Sequence, residues 1–114
     1  MDIKVVDRSI PISVVMPTGR LDAMSAPDLR VRCERLLDDR CERLIIDLSG
    51  VEFCDSAGLA ALVGALKRSR AAGGDTKLVA PDHEGVWRIL RLTRFERVFD
   101  IREDIDDAVG AFAA

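Results

Sequence analysis

An apolar strand that leads through a short polar turn into a helix is the feature that most limits how this chain folds. The run Leu44–Leu48 is apolar except for Asp47 and shows no alternation, which is typical of a strand covered on both faces. Apolar residues then recur at Leu59, Leu62, Val63 and Leu66, the spacing that forms one stripe of a helix. A strand followed by such a helix is the unit of α/β sheets, so we predict an α/β protein.

The turn Cys54–Gly58 connects this strand to this helix. Either Asp55 or Ser56 can act as the helix N-cap, because both side chains carry an oxygen that accepts from first-turn N–H groups. Gly58 has no Cβ and therefore lets another backbone, or a partner, approach the first turn closely. From the residues alone Ser56 is either a cap or a phosphoacceptor, since a helix N-terminus tolerates the added negative charge of a phosphate.

The segment LIIDLSGVEFCDSAGL, residues 44–59, resembles the signature of the STAS-domain anti-sigma factor antagonists of bacteria. In that family a hydrophobic strand leads into a D-S-[ST]-G-L turn. The resemblance implies one STAS domain over residues 1–114, with a mixed four- to five-stranded sheet and about four helices packed mainly on one side. Ala57 replaces the second hydroxyl of the pattern, and Cys54 replaces a frequent methionine.

The same resemblance implies a switch that acts through phosphorylation. In the family, the serine after the aspartate is phosphorylated by a partner that is both a serine kinase and an anti-sigma factor, which implies Ser56 as the acceptor. The unphosphorylated protein binds that kinase and frees a sigma factor, and a serine phosphatase restores the binding form. The segment Gly19–Asp22 matches the family's G-x-L-D. The partner-binding residues implied by the resemblance are Asp22, Asp55, Ala57, Gly58 and Leu59.

Two other functions remain open at this point. Ala57 brings the turn nearer to the D-[ST]-A-G-L form of STAS proteins that regulate lipid-transport ABC systems, and a component of a stressosome-like scaffold is a further alternative. Catalysis is not indicated, because no G-x-S-x-G elbow is present and the single histidine, His83, falls in another loop. No Walker or dinucleotide motif occurs either, so we expect no enzyme and no cofactor.

Charge and composition exclude several partners. The net charge of −3 argues against direct binding of nucleic acid. No apolar run reaches the roughly eighteen residues of a membrane span, and the N-terminus lacks the apolar stretch of a signal peptide, so we expect a cytoplasmic protein with no membrane contact. We also expect a monomer or a weak dimer. Three cysteines with no C-x-x-C pair predict neither a disulfide framework nor a metal site. We interpret Cys54 as a buried apolar residue rather than a redox sensor.

The rest of the chain alternates between predicted strands and helices. Ser25 is expected to begin a helix through a capping box with Asp28, and Gly73–Gly74 ends the helix that follows the Ser56 turn. The predicted strands are Ile3–Asp7 and Ile12–Met16, forming a hairpin around Arg8–Pro11, then Thr76–Ala80 and an edge strand at Val98–Ile101; the further predicted helices end near Asp39, span Glu84–Leu92 and contain Ile105–Phe112.

Overall fold

A single sheet with helices on both faces forms the architecture. The structure, a computed structural model, describes residues 1–7, 11–39 and 41–113. Its strands are β1 (Asp2–Asp7), β2 (Ile12–Leu21), β3 (Arg43–Asp47), β4 (Val51–Cys54), β5 (Asp75–Val79) and β6 (Ile101–Arg102), and its helices are α1 (Ala26–Asp38), α2 (Ser56–Ala71), α3 (Glu84–Leu92) and α4 (Ile105–Ala113), with a 3₁₀ turn at Phe95–Arg97.

The long strand β2 connects the two parts of the sheet. The strands follow the order β1-β2-β3-β5-β6, and β4 also pairs with β2. β1 runs antiparallel to β2, whereas the other pairings are parallel. The first half of β2 pairs with β3, and its end, from Gly19 to Leu21, pairs with β4. The predicted mixed sheet is confirmed, with β4 as an additional strand.

Two strand predictions were too short or misplaced. The second strand was predicted to end at Met16, but β2 continues to Leu21, and Gly19 takes a positive φ of 88° next to a shift in register. The predicted edge strand lies later, at Ile101–Arg102, where it pairs in parallel with β5. Phe99 instead turns into the core and stacks on Phe95, with ring centroids 5.4 Å apart. The predicted hairpin turn at Arg8–Pro11 falls largely outside the described residues.

Both faces of the sheet are covered, which explains the unbroken apolar run in β3. Leu44 and Ile46 belong to the main core beneath α1, α2 and α3. Ile45 points to the opposite face and packs in a second cluster that contains Ala108 of α4. Three helices therefore lie on one side and one on the other, as the prediction of helices mainly on one side required.

Gly74 gives a test of how closely the chain approaches itself where the parallel strands β3 and β5 begin, since Glu42 directly precedes β3 and Gly74 directly precedes β5. A Cβ on Gly74 would overlap the backbone carbonyl oxygen of Glu42, so Gly74→Ala must move one of the two backbones. We expect it to lower the free energy of unfolding by about 1–3 kcal/mol.

The matched control is Gly64→Ala in the middle of α2, where an added Cβ meets no atom of another element within 4 Å. This change should raise the free energy of unfolding by about 0.5–1 kcal/mol, because alanine favours the helix. Urea denaturation measures both variants. Equal midpoints for Gly74→Ala and the wild type would contradict the packing described.

Candidate functional site

The Ser56 turn lies where β2, β4 and α2 meet. The backbone N–H of Asp55 donates to the carbonyl of Leu21 at 3.2 Å, joining the turn to the end of β2. Gly58 is buried against the same place, since a Cβ there would lie 2.5 Å from the Leu21 carbonyl oxygen and 2.9 Å from Cys54 Sγ. The backbone that Gly58 admits is therefore the chain's own, and this contact sets the position of the first turn of α2.

The carboxylate of Asp55 holds two segments together. Its Oδ1 accepts hydrogen bonds from the N–H groups of Ala57, at 2.9 Å, and Gly58, at 3.1 Å. Its Oδ2 accepts from the N–H of Ala23 at 3.2 Å, in the loop between β2 and α1. Asp55 is therefore the N-cap of α2, which decides between the two residues that the sequence allowed. It also ties α2 to a loop 32 residues earlier in the chain.

A second carboxylate, Asp22, orders the loop between β2 and α1. Its Oδ1 accepts from the N–H groups of Met24, at 3.0 Å, and Ser25, at 3.2 Å. Burial acts to raise the pKa of Asp22, but these two backbone donors, with the side chains of Arg20 and Ser25, outweigh it and hold the pKa below its usual value. Asp22 is thus an ionised, hydrogen-bonded anchor of this loop.

The Ser25 side chain serves this loop rather than the helix after it. Its Oγ donates to the carbonyl of Arg20 at 2.6 Å and accepts from the N–H of Asp22 at 3.0 Å. It makes no side-chain bond to the first turn of α1, so the predicted capping box with Asp28 is wrong. The hydroxyl is instead used to close the loop back onto the end of β2.

Sequence reasoning assigned no part to Arg20, although it borders the site. Its guanidinium lies 4.0 Å from the centroid of the Phe53 ring, and its Nε is 3.3 Å from Asp22 Oδ2. Arg20 and Phe53 are register partners across β2 and β4. Because β4 was not predicted, nothing in the sequence indicated that Arg20 and Phe53 would lie side by side.

Ser56 itself is exposed as the first residue of α2. Within the part of the chain that the structure describes, its hydroxyl makes no hydrogen bond with a protein atom, whereas Asp55 occupies the neighbouring N–H groups. Ala57 and Leu59 are half-buried. Ser56 also stands at one end of an apolar groove of about 480 Å³ that follows α2; the groove is lined by Ser56, Leu59, Ala60, Val63, Gly64, Lys67 and Phe95.

The neighbouring thiol is not activated. Cys54 is buried, and this burial, with the nearby charge of Asp55, raises its pKa to about 12. The protonated thiol is neither a good nucleophile nor readily oxidised at neutral pH. The interpretation of Cys54 as a buried apolar residue is confirmed.

The described residues hold no set of three or more histidine, cysteine or acidic side chains arranged to bind a metal ion. Within the same residues, we find no helix that combines the length and the apolar character needed to cross a bilayer.

Comparison with known proteins identifies the family. The family described as STAS domain matches residues 3–108. The anti-sigma-B factor antagonist of Bacillus subtilis is 31% identical over 101 residues, which cover 89% of this chain and 88% of that protein. An anti-sigma factor antagonist from Mycobacterium paratuberculosis has a similar structure, with a TM-score of 0.88 and 29% identity over 99% of this chain and 94% of that one.

A more distant structure shares the fold alone. The Bacillus cell fate determinant SpoIIAA in its phosphorylated form superposes with a TM-score of 0.74 at 15% identity, covering 96% of this chain and 98% of that one. Taken together, the match to the STAS domain and these relatives show that the chain belongs to the STAS-domain anti-sigma factor antagonists. The family resemblance in the sequence is confirmed.

The bridge made by Asp55 can be tested by removing its oxygens in steps. Asp55→Ala loses the helix cap and the bond to Ala23, and we expect it to lower the free energy of unfolding by about 1–2 kcal/mol. Asp55→Asn keeps one accepting oxygen and should lose less. Denaturation measures the cost, and amide hydrogen exchange at Ala23, Ala57 and Gly58 locates it. Unchanged exchange at all three amides in Asp55→Ala would contradict the bridge.

The lowered pKa of Asp22 predicts a pH dependence of stability. A carboxyl group whose pKa is lower in the folded than in the unfolded state stabilises the fold above its unfolded pKa, and that contribution disappears as the pH falls through the folded value. The ordinary value is 3.8. The wild type should therefore be more stable than Asp22→Asn at pH 7, and the difference should shrink as the pH falls below about 4. A constant difference measured from pH 7 to pH 2.5 would contradict this assignment.

Proposed function

We propose that this protein is an anti-sigma factor antagonist that switches partners through phosphorylation of Ser56. In its unphosphorylated form it binds an anti-sigma factor that is also a serine kinase, and a sigma factor is released. The observation that supports this most directly is an exposed serine with an uncommitted hydroxyl, at a turn whose backbone is held by other residues. The hydroxyl is therefore available to a kinase without disturbing the fold.

A phosphate on Ser56 would stay at the surface. The N–H groups of Ala57 and Gly58 already donate to Asp55 Oδ1, so they are not free to take up a phosphate oxygen. The partial positive charge of the helix N-terminus still lowers the cost of the added charge to the fold. The phosphate would add about two negative charges next to Asp55 without unfolding the turn.

This charge acts on binding because Ser56 borders an apolar surface. Leu59, Val63 and Phe95 line the groove that begins at Ser56, and a partner that covers them would also cover the phosphate. Removing a phosphate from water without paired cations is costly. A loss of about 3 kcal/mol in binding free energy lowers the affinity more than a hundredfold, which is enough for a switch. A serine phosphatase would then restore the binding form.

The residues of the site divide into two roles in this proposal. Ala57 and Leu59 contact the partner, since both reach the surface beside Ser56. Asp22, Asp55 and Gly58 act on binding by positioning: two fix the backbone through hydrogen bonds, and the third lets α2 approach β2.

We further propose that the protein is not an enzyme and that it acts in the cytoplasm. Any nucleotide belongs to the kinase, and a serine with no hydrogen-bonded base in the described residues has no activated nucleophile. Ala57 is the one feature that favours the alternatives, regulation of a lipid-transport ABC system or membership of a scaffold. The 31% identical relative from Bacillus subtilis is named an anti-sigma-B factor antagonist, so we prefer the switch.

The decisive experiment incubates the protein with ATP and each serine kinase of the anti-sigma type from its own genome, and maps added phosphate by mass spectrometry. We expect one phosphate, on Ser56, and loss of the complex. Ser56→Ala should bind the kinase like the wild type without being modified, and Ser56→Asp should bind at least tenfold more weakly.

Ala72→Asp is the matched control for added charge, because this exposed residue lies about 24 Å from Ser56 at the other end of α2. It should bind like the wild type. Equal affinities of Ser56→Ala and Ser56→Asp would refute the switch, and a protein that no kinase modifies would favour a constitutive binding module of a transporter or scaffold.

A further inference from the structure

The loop between β2 and α1 presents one large apolar side chain beside the Ser56 turn. Met24 is 88% exposed, more than any other large apolar residue among those described. We propose that Met24, together with the cleft between α1 and α2 next to it, is a docking surface for an anti-sigma factor segment that carries an apolar side chain beside a carboxylate. This inference rests on the proposed function, because it adds a surface to the same binding event.

A single exposed apolar residue is ordinary, but Met24 is held on a fixed backbone. Its own N–H donates to Asp22 Oδ1 at 3.0 Å, and the N–H of the preceding Ala23 donates to Asp55 Oδ2 at 3.2 Å. Both carboxylates are themselves part of the site. A contact residue on an ordered loop loses little backbone entropy on binding, which is the property of an effective anchor.

The cleft beside Met24 is suited to an incoming apolar side chain. It has a volume of about 270 Å³ and lies between the N-terminal turns of α1 and α2. Small side chains leave this space open: the lining residues are Ala23, Ala26, Pro27, Arg30, Ala57, Ala60 and Ala61. The exposed side chain of Met24 and this cleft can therefore contact one partner segment at two points.

Arg30 gives the surface a charge preference. Its side chain is 62% exposed, and its Nε lies 3.8 Å from Glu34 Oε1, a long contact. The same oxygen of Glu34 is bound more closely by Arg68, at 3.2 Å. A guanidinium group has five N–H donors in a planar fork, so Arg30 keeps donors for a carboxylate of the partner. This is why the segment we propose combines an apolar side chain with an acidic one.

The surface is continuous with the switch. Ala57, which follows Ser56 in the chain, lines the cleft, and Ala60 lines both the cleft and the groove on the other side of α2. A phosphate on Ser56 would therefore lie at the margin of this surface. It would repel the partner's carboxylate as well as oppose its own desolvation, and both effects favour release.

The test is a titration of purified kinase, the one that binds the wild-type protein in the experiment above, against Met24→Ser and Arg30→Gln. Each variant should bind at least tenfold more weakly. Their thermal midpoints should equal that of the wild type, because both side chains are exposed and neither supports the loop. Val31→Ser and Arg32→Gln are the matched controls, since both residues line a different groove, between α1 and β1. They should bind within threefold of the wild type.

Affinities of Met24→Ser and Arg30→Gln within threefold of the wild type would overturn the docking surface, as would equal losses in the two controls. Ser56→Asp, titrated in parallel, tests the proposed function separately. Weak binding of Ser56→Asp with normal binding of Met24→Ser would leave the switch and remove this surface. The reverse pattern would retain the surface and remove the switch.

Discussion

One carboxylate holds the site together. Asp55 uses one oxygen to cap α2 and the other to bind the N–H of Ala23, so the helix that carries Ser56 and the loop that carries Met24 share a single anchor. The turn before Ser56 and the loop that carries Met24 are at the surface, where irregular backbone is usually mobile. Hydrogen bonds to a charged acceptor are stronger than those between neutral groups, which is why one side chain can order both. The backbone at Ser56 and Met24 therefore stays in place whatever the exposed side chains bind or carry.

The pairing of strands in the sheet determines where Asp55 lies. β2 pairs with β3 at its start and with β4 at its end, so the chain leaves β4 directly beside the end of β2. Gly19 permits the change of register, and Gly58 permits α2 to pack against Leu21. A side chain at Gly58 would push the helix away from the strand and move Ser56 with it. The apolar core on both faces of β3 supplies the rigid support for these contacts.

The division between buried and exposed groups explains how a phosphate can control binding without refolding the protein. The polar groups that hold the turn are satisfied internally, and Cys54 is kept protonated by burial, so neither is available for chemistry. The exposed groups are a hydroxyl, small apolar side chains, a methionine and arginines. Such a surface binds through apolar contact and a few charges, and it is sensitive to the charge of a single added phosphate.

The sequence alone determined the elements whose signals are local. The apolar run of β3 and the stripe of α2 follow from the periodicity of side chains, and the D-S-A-G-L turn could be recognised because its residues are adjacent. It left Asp55 and Ser56 equal as caps and missed β4, whose four residues are too few for a periodic signal. Only the tertiary structure decided that Ser25 closes a loop, that Arg20 stacks on Phe53 and that Phe95 lines the groove beside Ser56. These contacts join residues far apart in the chain, and they exist because β2 brings separate segments to one end of the sheet.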